Sequence, residues 1–259
     1  MSISQLLVHT STRSDTGRYS LLVAQTESEI RAAQRLRHRV FAGEMGAVLR
    51  SRHPGLDVDA FDEHCDHLLV REDRTGEIVG TYRMLAPERA RQAGGLYCDT
   101  EFDLSALDGL RAELVETGRS CVDPEHRSGA VVSLVWAGIA RYMLLTGHRW
   151  LVGCGSVPLR NPGQPDGACA AGVWDVVRVR HLAPDGYRVH PHRPWDTAAA
   201  PRPDRAVLPP LLRGYLRLGA QVCGPPAHDP DFGAADFLVL LDLEAMDPRY
   251  ARHFLGAGA

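Results

Sequence analysis

Apolar positions along the chain recur with two periods, and the switches between them mark the elements. Tyr19 to Gln25 is a short apolar run of strand length. Thr26 followed by Glu29 has the form of a capping box, and it opens a helix expected to reach about Glu44. Ile30, Ala33, Val40 and Phe41 would form its buried stripe. Arg37 falls on that stripe, four residues from both Ala33 and Phe41. An inward arginine needs a carboxylate, and Asp59, Asp62 and Glu116 are the candidates; the alternative is a side chain that snorkels to solvent. Two strands follow, 67–71 and 77–85, joined by a hairpin turn from Asp73 to Gly76. A strand is expected over 112–122. A helix over 130–146 would bury Val132, Val135, Trp136, Ile139 and Met143 and stop at Gly147. Residues 149–157 form a strongly apolar strand. A strand-helix-strand unit of this kind implies a parallel or splayed neighbour pair.

Beyond Pro158 the periodicity weakens. A short helix is expected over 168–178, another over 211–218, a buried strand over 236–243 and a last helix over 248–255. Seven of the 17 prolines lie from Pro184 to Pro210, so that span reads as loop. The expected fold class is α/β: a mixed, twisted sheet flanked by helices, with splayed parallel strands. It would be one domain over 19–259, with its core in 19–160, the C-terminal half from 161 completing it, and a flexible N-terminus over 1–18.

Composition narrows the partners. The chain has 259 residues, 44% of them hydrophobic, enough for a full core, and a net charge of −3, which argues against duplex nucleic acid. All 29 basic residues are arginine, which reads first as GC-rich codon usage and only second as chemistry. The six cysteines form no CxxC pair and are expected to stay reduced. The polar N-terminus does not look like an export signal, and no uninterrupted apolar run approaches the roughly 20 residues that cross a bilayer. A cytoplasmic protein is expected, with peripheral contact at the inner face of a membrane left open. His64-Cys65-Asp66-His67 and the pair His190 and His192 hold metal-ligand types without a second spaced half, so no metal site is expected.

The most informative stretch runs from Glu116 to Arg127. Glu116 and Arg119 stand three residues apart in a strand, where charged groups are costly unless paired or employed. On a regular strand they point to opposite faces; a bulge, tolerated at Gly118, would bring them to one side and free backbone N–H groups for an oxyanion. The strand then turns through Asp123-Pro124 into a basic loop that opens a helix, a ready anion site.

These residues resemble known acyltransferases. Val122 to Arg127 looks like the approach to the pyrophosphate loop of the GNAT superfamily. Ala130 and Val132 stand where that loop usually has glycine, a departure that argues against ordinary acetyl-coenzyme A binding. Arg37 with Phe41, Asp59 with Asp62, Arg83, and Glu116 with Arg119 resemble the acyl-homoserine lactone synthases. Those enzymes place a tryptophan where this chain has Ala47, which counts against lactone formation. The stretches 118–122, 138–143, 153–158, 210–219 and 234–241 resemble the L-ornithine N-alpha-acyltransferases of bacterial ornithine-lipid synthesis, and the likeness spans roughly Tyr19 to Phe254.

The resemblance implies transfer of a fatty acyl group, often 3-hydroxylated, from acyl carrier protein to the α-amine of ornithine. Acyl-coenzyme A is the alternative donor, and no cofactor is bound permanently. Glu116 is then the candidate general base through a water, with a structural ion-pair role as its alternative, and Arg119 is its catalytic partner or a clamp. Arg37, Asp59, Asp62 and Arg83, with Phe41, would organise the site through a buried ion network; the alternative is that Asp59 or Asp62 meets a cationic substrate side chain. Val122, Arg127, Ser128, Gly129 and Ala130 would meet the phosphopantetheine phosphate and its acidic carrier, with Arg141 and Arg149 as weaker contacts. Phe102, Trp136 and Trp150 line an acyl slot or pack the core. Cys121 is not expected to carry the acyl group. The rivals are a synthase for another N-acyl amino acid or for a homoserine lactone, and a non-catalytic acyl-carrier or lipid-binding protein.

Overall fold

The computed structural model describes residues 18–127 and 129–246. The helix expected over 248–255, most of the N-terminal segment and Ser128 lie outside the described residues. In chain order the elements are β1 (Tyr19–Val23), α1 (Glu27–His38), β2 (Asp66–Glu72), β3 (Ile78–Leu85), α2 (Pro87–Gln92), β4 (Phe102–Asp103), β5 (Leu114–Val122) and α3 (Gly129–Thr146). They continue with β6 (Trp150–Pro158), α4 (Ala168–Arg180), β7 (His190–Pro191), α5 (Pro210–Leu218), β8 (Gln221–Val222), β9 (Ala227–Asp229) and β10 (Ala234–Asp242). The described residues form two compact units: one holds 18–93, 117–127 and 129–148, the other 94–116 and 149–246. β5 gives its first three residues to the second unit and the remainder to the first.

In the first unit, β1, β2 and β3 pair antiparallel with β2 in the middle. The hairpin closes where expected, with Gly76 at φ 76 and its N–H donating to the Glu72 carbonyl at 2.8 Å. The capping box also closes: the Thr26 hydroxyl accepts from the Glu29 N–H at 3.3 Å, and the Glu29 carboxylate accepts from the Thr26 N–H at 3.1 Å. The helix does not run to Glu44 as one α-helix. It is α-helical to His38 and widens into a π turn over Arg39–Glu44, closed by the Met45 N–H on the Val40 carbonyl at 2.9 Å. Ala33, Leu36, Arg37, Val40 and Phe41 are buried, while Ile30 is only half-buried.

α3 lies against β1, β2 and β3. Its buried face includes Val131, Leu134, Val135, Ile139 and Tyr142, whereas Val132, expected inside, is 44% exposed. The helix is apolar nearly all round, so periodicity alone cannot choose the face. Gly138 helps choose it: a Cβ there would sit 3.0 Å from Leu21 Cδ2 and 3.3 Å from Leu68 Cδ1. The expectation was that no uninterrupted apolar run approaches the roughly 20 residues of a membrane span, and Arg141 interrupts α3, the one candidate among the described residues. By length and composition alone α3 is long and apolar enough, 18 residues with mean hydropathy 1.5, and in this unit it covers a sheet.

In the second unit, β5 pairs parallel with β6 through Leu114–Trp150, Val115–Leu151 and Glu116–Val152. Within this unit the ladder comprises those three pairs. β6 and β10 pair antiparallel over nine positions, and β8 and β9 pair with β10. α4 lies on β6, and α5 on β6 and β10. The proline-rich span holds a 3-10 turn at Asp185–Tyr187 and β7, which pairs with β4. Parallel and antiparallel pairs in a sheet flanked by helices make this the mixed α/β fold that was expected.

Candidate active site

The charged residues of the first unit close into a cage around Arg37, which α1 presents inward with 0% exposure. Nη1 and Nη2 of Arg37 donate to the two oxygens of Asp62 at 2.9 and 2.7 Å. Nη2 also donates to the Asp57 carbonyl, and Nε lies 2.9 Å from the Asp57 carboxylate. Arg83, from β3, donates to Asp59 at 2.6 Å and to Asp62 at 3.1 Å. Arg119 reaches Asp59 at 3.1 Å and Asp57 at 3.4 Å. Three guanidinium groups thus face three carboxylates, and the formal charge of the six is zero.

Electrostatics follow the geometry. Burial alone would raise the pKa of Asp62, but the hydrogen bond and charge of Arg37, with the charge of Arg83, pull it well below the carboxylate range. Asp59 is lowered too: burial opposes, and Arg83 and Arg119 prevail. His67, 1% exposed with Nε2 3.2 Å from the Asp62 carbonyl oxygen, is held below its ordinary pKa by burial and is neutral near pH 7.

The cage contains Arg37, Asp59, Asp62 and Arg83, and joins to them Asp57 and Arg119. Arg37 finds its carboxylates in Asp57 and Asp62 and does not snorkel. Asp57 was missed because 45–61 has no period to read; its one signal is the alternate-position spacing to Asp59 in an extended segment.

Arg119 is the one non-glycine residue with positive φ, 53, among those described. Such a conformation costs roughly 1–2 kcal/mol for an L-residue. The break in strand alternation anticipated at Gly118 therefore falls one residue later, and two carboxylate contacts offset its cost.

Glu116 belongs to the second unit and is 5% exposed. Its Oε2 accepts from the Tyr97 N–H and its Oε1 from the Cys98 N–H, both at 2.7 Å. The carboxylate thereby fixes the 3-10 turn Tyr97–Thr100, which the sequence did not reveal.

Of the donor-binding candidates, Val122 ends β5, Gly129 and Ala130 begin α3, and Ser128 lies outside the described residues. Arg127 is held in a two-pronged pair with Glu44, both bonds 2.6 Å. Arg149 is clamped by Asp242 and Glu244 and stacks on Trp150, 4.9 Å from the ring centre. Phe41, Phe102, Trp136 and Trp150 are buried in the apolar core of their units. The Cys121 thiol is pushed up to about 12, chiefly by burial, and donates to the Leu36 carbonyl at 3.8 Å.

His67 and His192 each face a backbone carbonyl at 3.2 Å. Three ligand-type atoms come together instead at Glu101, Cys154 and Asp236, all within 4.8 Å of one another. No sequence pattern pointed there.

Comparison with known proteins agrees with this architecture. The family described as "Acetyltransferase (GNAT) domain" matches residues 36–137, which include the cage and Glu116. An L-ornithine N(alpha)-acyltransferase of Rhizobium meliloti is 37% identical over 253 residues, covering 92% of this chain and 84% of that one. Another, from Rhodobacter capsulatus, is 34% identical, covering 93% and 97%. The fold is shared with a CoA-dependent acyl-homoserine lactone synthase, BjaI, at TM-score 0.53 and 16% identity, covering 90% of this chain and 85% of that one. It is shared likewise with FeeM, an N-acyl amino acid synthase from uncultured soil microbes, at TM-score 0.53 and 14% identity, covering 88% and 92%. Identity above 30% along nearly the full length of both chains places this protein in the L-ornithine N(alpha)-acyltransferase family.

Proposed function

We propose that this chain transfers a fatty acyl group, 3-hydroxylated in the preferred substrate, from a thioester to the α-amine of ornithine, giving a lyso-ornithine lipid. The observation that carries the reading is the end-to-end similarity to enzymes named for that acceptor and that nitrogen. The donor proposed is acyl carrier protein: Ala130 and Val132 at the head of α3 put side chains where a coenzyme A pyrophosphate would need close backbone approach.

The chemistry is direct transfer. The α-ammonium loses a proton, the nitrogen attacks the thioester carbonyl, the C–N bond forms and the C–S bond breaks, and the carrier leaves as its thiol. An α-amino group is mostly protonated at neutral pH, with a pKa of about 8, so a proton acceptor is required. Glu116, fixed by Tyr97 and Cys98 and 5% exposed, would take that proton through a bridging water. Arg119 and the residues Arg37, Asp59, Asp62 and Arg83 serve as the rigid frame that holds the end of β5 in register, with Phe41 packed behind them. Phe102 supports the turn above Glu116 from the core. The membrane enters as the destination of the product, and contact with its inner face is part of the same proposal.

The test is reconstitution. Purified protein, a 3-hydroxyacyl carrier protein and ornithine should yield N-acylornithine and free carrier thiol by mass spectrometry. Acyl-coenzyme A in place of the carrier, and a panel of other amines in place of ornithine, should be markedly poorer. Absence of N-acylornithine across chain lengths and both donors overturns the reading.

A further inference from the structure

The second unit contains an acidic cluster that the chemistry above does not use. Glu101 follows the Tyr97–Thr100 turn, Cys154 lies on β6, and Asp236 sits on β10 opposite Ser156. Asp236 is 3% exposed, and its Oδ1 has no hydrogen-bond partner. That oxygen belongs to a side chain aimed at Glu101 and Cys154, whose ligand-type atoms lie within 4.8 Å of its own and of one another. The Cys154 thiol donates to Glu101 Oε2 at 3.4 Å. Among the described residues, neither Glu101 nor Asp236 makes an ion pair. Two carboxyls set face to face and mostly out of water repel, so a proton or a cation belongs with them. Burial first and the neighbouring carboxylates second push both upward, Glu101 by way of Asp229 and Asp236 by way of Glu101. Glu101 and Cys154 keep partial exposure, so the cluster is open to a ligand.

Its position fits an acceptor whose α-nitrogen is served by Glu116. The Cys98 N–H that donates to Glu116 belongs to the residue whose thiol lies 3.6 Å from the Cys154 thiol. Val152, the strand partner of Glu116, precedes Cys154 by two positions on β6, a step of about 6–7 Å along one face of a strand. The two nitrogens of ornithine are five bonds apart, roughly 6 Å when extended at ordinary bond lengths.

We propose that Glu101 and Asp236 form the subsite for the side-chain ammonium of the ornithine acceptor and so set the enzyme's preference for a diamino acid. This rests on ornithine as the acceptor. An ammonium ion suits the site better than a metal. The Cys154 thiol is kept protonated by its contact with Cys98 and by burial, whereas zinc takes a thiolate. Two carboxyls are also far fewer than the six or more oxygens that calcium or magnesium gathers, unless water supplies the rest.

The experiment compares ornithine with norvaline, which has the same carbon skeleton without the terminal amine, using one acyl-carrier donor and the full-length protein. Wild type should prefer ornithine. Glu101→Gln and Asp236→Asn should each lower kcat/KM for ornithine by about 30-fold or more, mainly through KM. Both should leave norvaline turnover and the thermal midpoint near wild type. Variants that keep the full preference for ornithine overturn the proposal. So does loss of activity in EDTA that a divalent metal restores and that either substitution abolishes. Should wild type fail to acylate ornithine, the functional reading falls on that result alone. Calorimetric binding of ornithine without donor then decides the subsite: weaker binding in Glu101→Gln sustains it, and no binding to wild type overturns it.

Discussion

Asp62 accepts from Arg37, Arg83, Gln34 and the Asp59 N–H, so one carboxylate answers two elements and a loop. Removing it leaves two buried guanidinium groups short of charge. Asp62→Ala should therefore cost about 3–5 kcal/mol in urea unfolding. Arg31→Ala, which breaks only the exposed pair with Glu27, should cost at most about 0.5 kcal/mol. At Glu116, a base and an anchor can be told apart. Glu116→Gln should reduce kcat by about 100-fold or more with little change in the KM for the acyl carrier. The loss should persist at low temperature, where the protein stays folded despite the one backbone N–H that the amide cannot accept. An anchor alone would show instead a lowered melting point and a kcat that recovers at lower temperature. Arg37, Asp59, Asp62 and Arg83 were legible because a helical stripe and a family resemblance pointed to the same residues. Glu101 and Asp236 were not: they stand more than a hundred positions apart, in elements with no shared spacing, and only folding brings them together.

The long helices and strands were legible as apolar stretches between turn and cap signals, and apart from α1, whose α-helical part stops at His38, their bounds fell within a few positions of those expected. β4, β7, β8 and β9 were not, being two or three residues long, too short for any period to show. Of the five residues expected on the buried face of α3, Val135, Trp136, Ile139 and Met143 are buried and Val132 is not, because an apolar surround leaves periodicity little to select at the edge of the face. Close approach settles it, and Gly138→Val should destabilise by roughly 1–3 kcal/mol through Leu21 and Leu68, against little change for Val132→Ala. Equilibrium unfolding of the two variants checks this. The π turn after α1 was beyond reach, since hydrogen bonding to the fifth residue leaves no mark on a pattern of apolar positions.

For the molecule as a whole, acid should act through the cage. His67 has a folded pKa below its unfolded value, so the stability it contributes is present above about 6.5 and declines as pH falls from there. Asp59 and Asp62 are also depressed, and their contribution is lost as pH drops below the ordinary carboxylate pKa of about 4. Urea midpoints measured from pH 7.5 to 3 should fall in two stages, the first absent in His67→Phe. A cage with no net charge and buried partners in direct contact should also respond weakly to salt. One further consequence separates habit from necessity among the 29 cationic side chains. Recoding the exposed ones as lysine should leave a working protein, since a point charge at the surface asks for no particular shape. At residue 37 the same exchange should be fatal. A single ammonium cannot span both oxygens of one aspartate while meeting the carboxylate and carbonyl of another. Nucleotide bias can explain why the residue is abundant; at that position only a planar, branched cation fits.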